Sequence, residues 1–245
     1  MKIIITTWDD SSSILTAFAH QADKYVPAWD ELEFVILGYT KFPTLPKRYS
    51  VKSMGNKQKS WSRDIYNYLK NIQDEYVIFG TDDLLLTGAV DWKVFTHTFT
   101  LMHSDNTIMR YELGTGHGWH GSVTQLEDCG DFKIYQYGNE SLYRISAQFS
   151  IWRRKYLLKY LDFDRTPWEF EIDGSREADT DGMNIIATKG KVAFQYIHSV
   201  STKRYPGKIN VANMKHDDVE ELISLGIFDR SVLQTGEELN SPKYT

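Results

Sequence analysis

Apolar runs alternate with helical stripes along the first third of the chain. Residues 2–7 (Lys-Ile-Ile-Ile-Thr-Thr) are short, apolar and rich in β-branched side chains, the pattern of a buried strand. Ser11, Ser12 and Ser13 offer N-caps for a helix running to about residue 22. A second strand is predicted over 32–38 and a weaker third over 48–53. Over 57–73, Trp61, Ile65, Tyr68, Leu69 and Ile72 fall on one stripe, which predicts a helix with Trp61 in the core. A nearly all-apolar fourth strand follows at 75–80. Strands of this kind, alternating with helices, imply a parallel sheet covered on both faces. Ligands of such sheets bind beyond the carboxyl ends of the strands. The residues just after Thr7, Gly38 and Gly80 are therefore candidates for a site.

The rest of the pattern is less regular. A helix is predicted over 91–103, and strands over 107–113 and 132–137. The glycine-rich loop between those strands holds His117, Trp119 and His120. With a single cysteine in the chain and no clear acidic partner, the two histidines make a weak zinc site. A strand over 144–151 leads into a helix over 152–161. Pro167 suits the first position of a helix, which puts Trp168, Glu169, Phe170 and Glu171 in its first turn. A late strand over 191–198 and a helix over 217–226 follow. There is no internal repeat, low-complexity tract or linker, so the expectation is one α/β domain over 1–245.

The strongest chemical signal is Asp82-Asp83, directly after the fourth strand and without a basic neighbour in sequence. Adjacent carboxylates repel unless something compensates them. A divalent cation does this well, because Mg²⁺ and Mn²⁺ prefer carboxylate oxygens and substrate phosphates. The competing explanation is a turn or a helix N-cap, both of which Asp serves.

Charge sharpens the picture. The net charge of −5 weighs against a general nucleic-acid binder. Its distribution is uneven. Between residues 41 and 70, Lys41, Lys47, Arg48, Lys52, Lys57, Lys59, Arg63 and Lys70 face a single acid, Asp64. Between 162 and 181 the balance reverses, with eight acids against Arg165 and Arg176. One stretch suits phosphates and the other a cation or a general base; both are equally the mark of solvated surface. The abundant aromatics suit either a ring-rich core or a cleft that stacks bases and sugars. Cys129 is the only cysteine, which fits a reducing cytoplasm. No apolar stretch reaches the ~20 residues that span a bilayer, and the first strand is too short for a signal-peptide core. The expectation is a soluble, cytoplasmic protein.

Four segments carry a resemblance: Trp61-Ser62-Arg63, residues 75–83, residues 146–153 (Ser-Ala-Gln-Phe-Ser-Ile-Trp-Arg) and Pro167-Trp168-Glu169-Phe170-Glu171. Together they resemble small bacterial and phage glycosyltransferases of the GT-A type, over roughly residues 1–210. Thr81-Asp82-Asp83 is similar to the Asp-x-Asp signature of those enzymes but lacks its first acid. The resemblance implies a GT-A-like, mostly parallel central sheet flanked by helices, with a mixed extension on the acceptor side. Residues 1–105 would bind the nucleotide sugar and 106–245 the acceptor.

It also implies roles. Asp83 would ligate Mn²⁺ or Mg²⁺, and Asp82 would contact the ribose or a metal-bound water. Thr7, Trp8 and Asp9 follow the first strand, where the nucleotide is commonly held; Trp8 would stack on the base and Asp9 meet a base edge or the ribose. Arg63 would reach the nucleotide from its helix. His198 would add a metal ligand, and Lys203, Arg204 and Lys208 would clamp the diphosphate. Inverting transfer needs a carboxylate base near the start of a late helix. Glu169 is the first choice, Glu171 the second and Asp173 the third. Residues two apart on a helix point in different directions, so one of the two glutamates faces the pocket.

Two other functional classes stay open. A metal-dependent nucleotidyltransferase would share the carboxylates and phosphate clamps, but residues 1–40 hold no glycine-rich phosphate loop. A non-catalytic carbohydrate- or nucleic-acid-binding module would use the aromatics and the basic stretch, but leaves Asp82-Asp83 unexplained. For an enzyme, the acceptor would be a glycan or, if the chain is phage-derived and acts in host cytoplasm, a hydroxymethylated DNA base extruded from its duplex.

Overall fold

A computed structural model describes residues 1–9, 11–26, 32–56, 60–114, 121–199 and 208–234, without the side chains of Ser12 and Ser13. The first elements follow the expected order: β1 (Lys2–Thr6), α1 (Ser12–Tyr25), β2 (Glu33–Gly38), β3 (Tyr49–Ser53), α2 (Trp61–Leu69) and β4 (Tyr76–Thr81). Then come β5 (Leu84–Leu86), α3 (Trp92–Ser104), β6 (Ile108–Glu112), β7 (Val123–Asp128), β8 (Phe132–Tyr137), β9 (Ser150–Arg153) and α4 (Arg154–Leu161). The last elements are α5 (Pro167–Ala178), β10 (Asn184–Gly190), β11 (Tyr196–His198), β12 (Ile209–Asn210), α6 (His216–Ser224) and β13 (Leu233–Gln234).

Among the described residues, nine strands form one sheet in the order β3-β2-β1-β4-β9-β6-β10-β8-β7. β9 and β8 run against the others. The architecture is therefore α/β with a large, mostly parallel central sheet. Alternation along the strands explains the two layers of core. Ile3 and Ile5 of β1 face one side, where Phe18 of α1 and Val94 of α3 pack. Ile4 faces the other, with Trp61 of α2, Leu157 of α4 and Phe170 of α5. Each fully buried Ile or Phe contributes about 1.5–3 kcal/mol relative to leaving it in water. Trp61 is core, as its stripe predicts, with its ring edge-on to Phe79 and Phe170.

The back half departs from the pattern in several places: β7, β12 and β13 are strands the pattern does not predict, and three further differences bear on the site. Residues 144–149 are irregular, and the strand begins only at Ser150. Two buried guanidinium groups hold the chain there. Arg110 donates to the carbonyls of Tyr143 (3.1 Å) and Arg144 (3.0 Å). Arg144 donates to those of Tyr137, Gly138 and Met183. These bonds tie the irregular segment to β6, to the end of β8 and to the stretch before β10. Second, Trp152 opens no helix; it pairs with Val77 and Arg110 inside β9. Third, β10 is an unexpected central strand, while the strand expected over 191–198 is only Tyr196–His198, paired with β5 outside the main sheet.

Gly80 in β4 lies against the buried ring of Phe149, and a Cβ there would sit 2.8 Å from it. Phe149 is itself packed on Phe18 and Phe194, so the ring has little room to yield. Gly80→Ala is expected to destabilise the fold by about 1–3 kcal/mol in chemical denaturation. No helix among the described residues is long and apolar enough to cross a membrane.

Candidate active site

β1 and β4 are parallel neighbours in register, Thr6 opposite Thr81, so their carboxyl ends open at one level. Thr7 and Asp82 come next on each chain and meet there. The Thr7 hydroxyl donates to Asp82 Oδ2, and the Ser11 hydroxyl donates to the same oxygen at 2.9 Å. The sequence suggests Ser11 as a cap of α1; its hydroxyl goes to Asp82 and to the Trp8 carbonyl instead, and makes no capping bond to the helix. Asp82 is buried. Burial, then the neighbouring charge of Asp83, push its carboxyl from the ordinary 3.8 up to about 7, against the pull of the two hydroxyls.

Asp83 is more open. The Thr81 hydroxyl donates to its Oδ1. β5 leaves immediately afterwards and pairs antiparallel with β11, which sets His198 opposite Leu84. That pairing returns a distant segment to the aspartate. His198 Nδ1 lies 3.8 Å from Asp83 Oδ2, and the Ser199 amide and hydroxyl donate to the Asp83 carbonyl at 2.7 and 2.9 Å. Asn210 then donates to the Ser199 carbonyl, so both flanks of the 200–207 segment are anchored here. Lys203 and Arg204 lie in that segment, outside the described residues.

The opposite side of the site comes from α5. Pro167 starts the helix, and Thr166 and Glu169 close a reciprocal capping box at its end. Glu169 Oε2 accepts from the Thr166 amide (2.8 Å) and hydroxyl (2.9 Å), which holds its carboxyl below the usual glutamate value. The preferred base among the glutamates is thus an exposed helix cap and is not among the residues lining the cleft. Glu171 takes the pocket position. Its Oε1 accepts from the Ser146 hydroxyl and the Ala147 amide, each at 2.8 Å. Burial raises its carboxyl above the ordinary 4.5, opposed by those hydrogen bonds and by the charges of Arg110 and His198. The irregular 144–149 segment, fixed by Arg110 and Arg144, therefore exists where it supplies Glu171 with donors. Asp173 lies outside the pocket and pairs with Arg176.

A cleft of about 300 Å³ gathers these groups: Asp82, Asp83, Trp8 and His198 with Gln148, Trp168 and Glu171. Trp168 and Glu171 are three apart and share a helix face. Trp168 is 57% exposed among the described residues. The Tyr196 hydroxyl donates to Gln148 Oε1 at 2.7 Å and fixes that side chain. Sequence reasoning assigns no site role to Gln148, Trp168 or Ser11. Trp168 had a usable signal, its i,i+3 spacing from Glu171; for Ser11 the link to Asp82 spans 71 positions and leaves no local trace.

Other expected contacts lie elsewhere. Asp9 holds the loop after β2, accepting from the Thr40 and Lys41 amides at 2.9 Å and from the Thr40 hydroxyl. Arg63 pairs with Asp162 and Asp164 on the rim of a separate, open depression that also includes Met54, Ser60 and Asn67. Lys208 donates to the Ser231 carbonyl at 2.6 Å. The basic and acidic stretches thus partly neutralise each other, and Arg48 is taken up by Asp23 and by the rings of Phe34 and Tyr49. His117, Trp119 and His120 lie outside the described residues.

No family model matches the chain, and no curated protein matches it. Solved structures do. The mannosyltransferase PcManGT from Pyrobaculum calidifontis, in complex with GDP-Man and Mn²⁺, superposes with a TM-score of 0.52 at 9% identity, covering 83% of this chain and 58% of that one. S. aureus TarS gives a TM-score of 0.46 at 12% identity over 80% of this chain and 59% of that one. CMP:2-keto-3-deoxy-manno-octonic acid synthetase, complexed with CTP, gives 0.46 at 11% identity over 80% and 92%. The chain thus spans less than two thirds of the mannosyltransferase it resembles. At these identities the likeness is one of fold, and it places the chain in the GT-A, Rossmann-like architecture.

Proposed function

We propose that this chain is a divalent-metal-dependent glycosyltransferase that moves a sugar, with inversion, from a nucleoside diphosphate sugar to an acceptor hydroxyl. The carrying observation is one cleft, at the carboxyl ends of β1 and β4, that faces Asp83 and His198 with the half-buried carboxylate of Glu171.

The donor set at Asp83 fits a cation: a carboxylate oxygen and an imidazole nitrogen converge, with the buried Asp82 charge beside them. Asp83 and His198 would hold Mn²⁺ or Mg²⁺, which when bound neutralises charge on the leaving diphosphate. The rest belongs to the chain. Thr7 and Ser11 fix Asp82, whose free side meets the ribose or a water. Trp8, at the edge of β1, stacks on the base. Lys203 and Arg204, outside the described residues, would clamp the phosphates. Glu171 takes the proton of the acceptor hydroxyl as that oxygen bonds the anomeric carbon and the bond to phosphate breaks. Trp168 lines the cleft with Glu171, which favours a sugar ring as acceptor over a phosphate-rich polymer.

Thermal shift against nucleoside diphosphates and nucleotide sugars, with and without Mn²⁺, tests the donor site. A ligand that binds only the folded state raises apparent stability by mass action, by about 2.7 kcal/mol at a hundredfold excess over Kd. The expected result is a shift with one nucleotide that requires Mn²⁺ and is lost in Asp83→Ala. A shift indifferent to both would sink the assignment.

A further inference from the structure

A second set of ligand-type side chains lies at the far edge of the sheet, where α3 runs beside the β7–β8 hairpin and shares no residue with the cleft. His97 projects from α3, Glu127 from the end of β7 and Cys129 from the turn that follows. His97 Nε2 is 3.0 Å from Glu127 Oε1 and 3.5 Å from Cys129 Sγ, and the three ligand atoms all lie within 4.8 Å of one another. Donors around a tetrahedral ion with bonds of roughly 2.0–2.3 Å sit roughly 3.3–3.8 Å apart, so small side-chain adjustments would close the shell.

The backbone builds this convergence. The β7–β8 ladder slips between Gln125 and Glu127, a bulge that re-aims Glu127 relative to plain alternation. The turn is then locked: the Cys129 amide donates to the Phe132 carbonyl at 2.9 Å, and Gly130 takes φ +81°. The His97 ring stands edge-on to Phe132, centroids 5.6 Å apart, which fixes its plane. The neighbouring acids are answered by lysines, Asp128 by Lys133 and Asp131 by Lys191, each at 2.9 Å. Glu127 faces the imidazole and the thiol instead.

We propose that His97, Glu127 and Cys129 form a second metal site, for Zn²⁺, separate from the cleft. Imidazole nitrogen, thiolate sulfur and one carboxylate oxygen make a borderline donor set that suits Zn²⁺ and disfavours Mg²⁺. Three protein ligands leave the fourth position to water. On binding, Cys129 gives up its thiol proton to solvent and the sulfur bonds the ion. The ion ties the edge hairpin to α3. β7 is largely solvent-exposed, and cross-linking it stiffens a sheet edge that, among the described residues, has a neighbour on one side only.

The single cysteine makes the test unambiguous: any thiolate–metal band reports Cys129. Full-length protein freed of metal by chelation would be titrated with Co²⁺ as an optical stand-in. The expected result is a thiolate-to-cobalt charge-transfer band saturating at one equivalent, bleached by Zn²⁺, present in wild type and Asp83→Ala, and absent in Cys129→Ser. His97→Ala should keep the band and weaken Co²⁺ binding at least tenfold. Absence of the band in wild type, or its survival in Cys129→Ser, overturns the proposal. Because Asp83→Ala keeps this site, failure here and failure of the glycosyltransferase reading are read separately.

Discussion

Glu171→Gln is expected to lower the turnover number for sugar transfer by about 10²- to 10⁴-fold, the usual effect of removing a general base. Nucleotide binding and folding should survive. Glutamine has the same shape and keeps an oxygen that accepts from the Ser146 hydroxyl and the Ala147 amide, so the local structure has no reason to change. What it lacks is a lone pair basic enough to take the acceptor proton. Glu169→Gln is the contrasting variant. It loosens the capping box and should cost about 0.3–1.5 kcal/mol of stability, with activity within a few-fold of wild type. The pH profile adds a sign. Burial raises Glu171 above the ordinary 4.5, so the working carboxylate is lost as pH falls through a value higher than that. Activity should rise with pH along an acid limb set by this elevated value, and the limb should vanish from the residual activity of Glu171→Gln. Release of nucleoside diphosphate, followed across pH in both variants, checks all three points. An active Glu171→Gln beside an inactive Glu169→Gln would falsify the assignment.

How much of this was visible in the sequence depends on the range of each interaction. The front of the sheet is written in local patterns. β1, β2 and β4 are continuous apolar runs, and their carboxyl ends point to Asp82 and Asp83 without any structure. The choice between Glu169 and Glu171 was also written locally: Thr166-x-x-Glu169 is a capping-box spacing, and a glutamate used as a cap is withdrawn from the pocket. The rest is not local. Arg63 is matched by Asp162 and Asp164 about a hundred residues on, and Asp9 by Thr40, so their charges are spent on the fold in ways no window of sequence displays. β5 and β11 have three residues each, too few for periodicity, yet their pairing is what carries His198 to Asp83. The 144–149 segment has apolar residues enough to suggest a strand. It is irregular instead, and two buried arginines tie it to carbonyls on both sides through contacts no local window displays.

Asp82→Asn is expected to make the metal-free protein more stable, by an amount that grows with pH. In the folded chain the Asp82 carboxyl is raised to about 7; unfolded, it returns to the ordinary 3.8. Below 3.8 the group is protonated in both states and costs nothing. As pH rises toward 7 the unfolded chain ionises freely while the folded one resists, so wild-type stability falls across that window and levels off above it. A tenfold change in proton affinity corresponds to about 1.4 kcal/mol, so the full penalty is on the order of 4 kcal/mol. Asparagine carries no charge and still accepts from Thr7 and Ser11, so it escapes the penalty and keeps the contacts. Both proteins would be denatured in a chelator at about pH 4 and about pH 8, either side of the window. Stabilities should be close at the lower value, with a clear advantage for Asp82→Asn at the higher. Equal stabilities at the higher value would mean that water or neighbouring dipoles solvate the ionised carboxylate inside the fold. On the proposed metal-dependent reading the functional half of the expectation runs the other way: the same variant should weaken nucleotide binding in Mn²⁺, because the charge that destabilises the metal-free fold would serve a bound cation. The largest influences on this carboxyl are its own burial and the like charge of Asp83, with two neutral hydroxyls as its side-chain partners. A buried carboxylate that costs stability at neutral pH in such surroundings makes sense where its counter-charge arrives with the ligand.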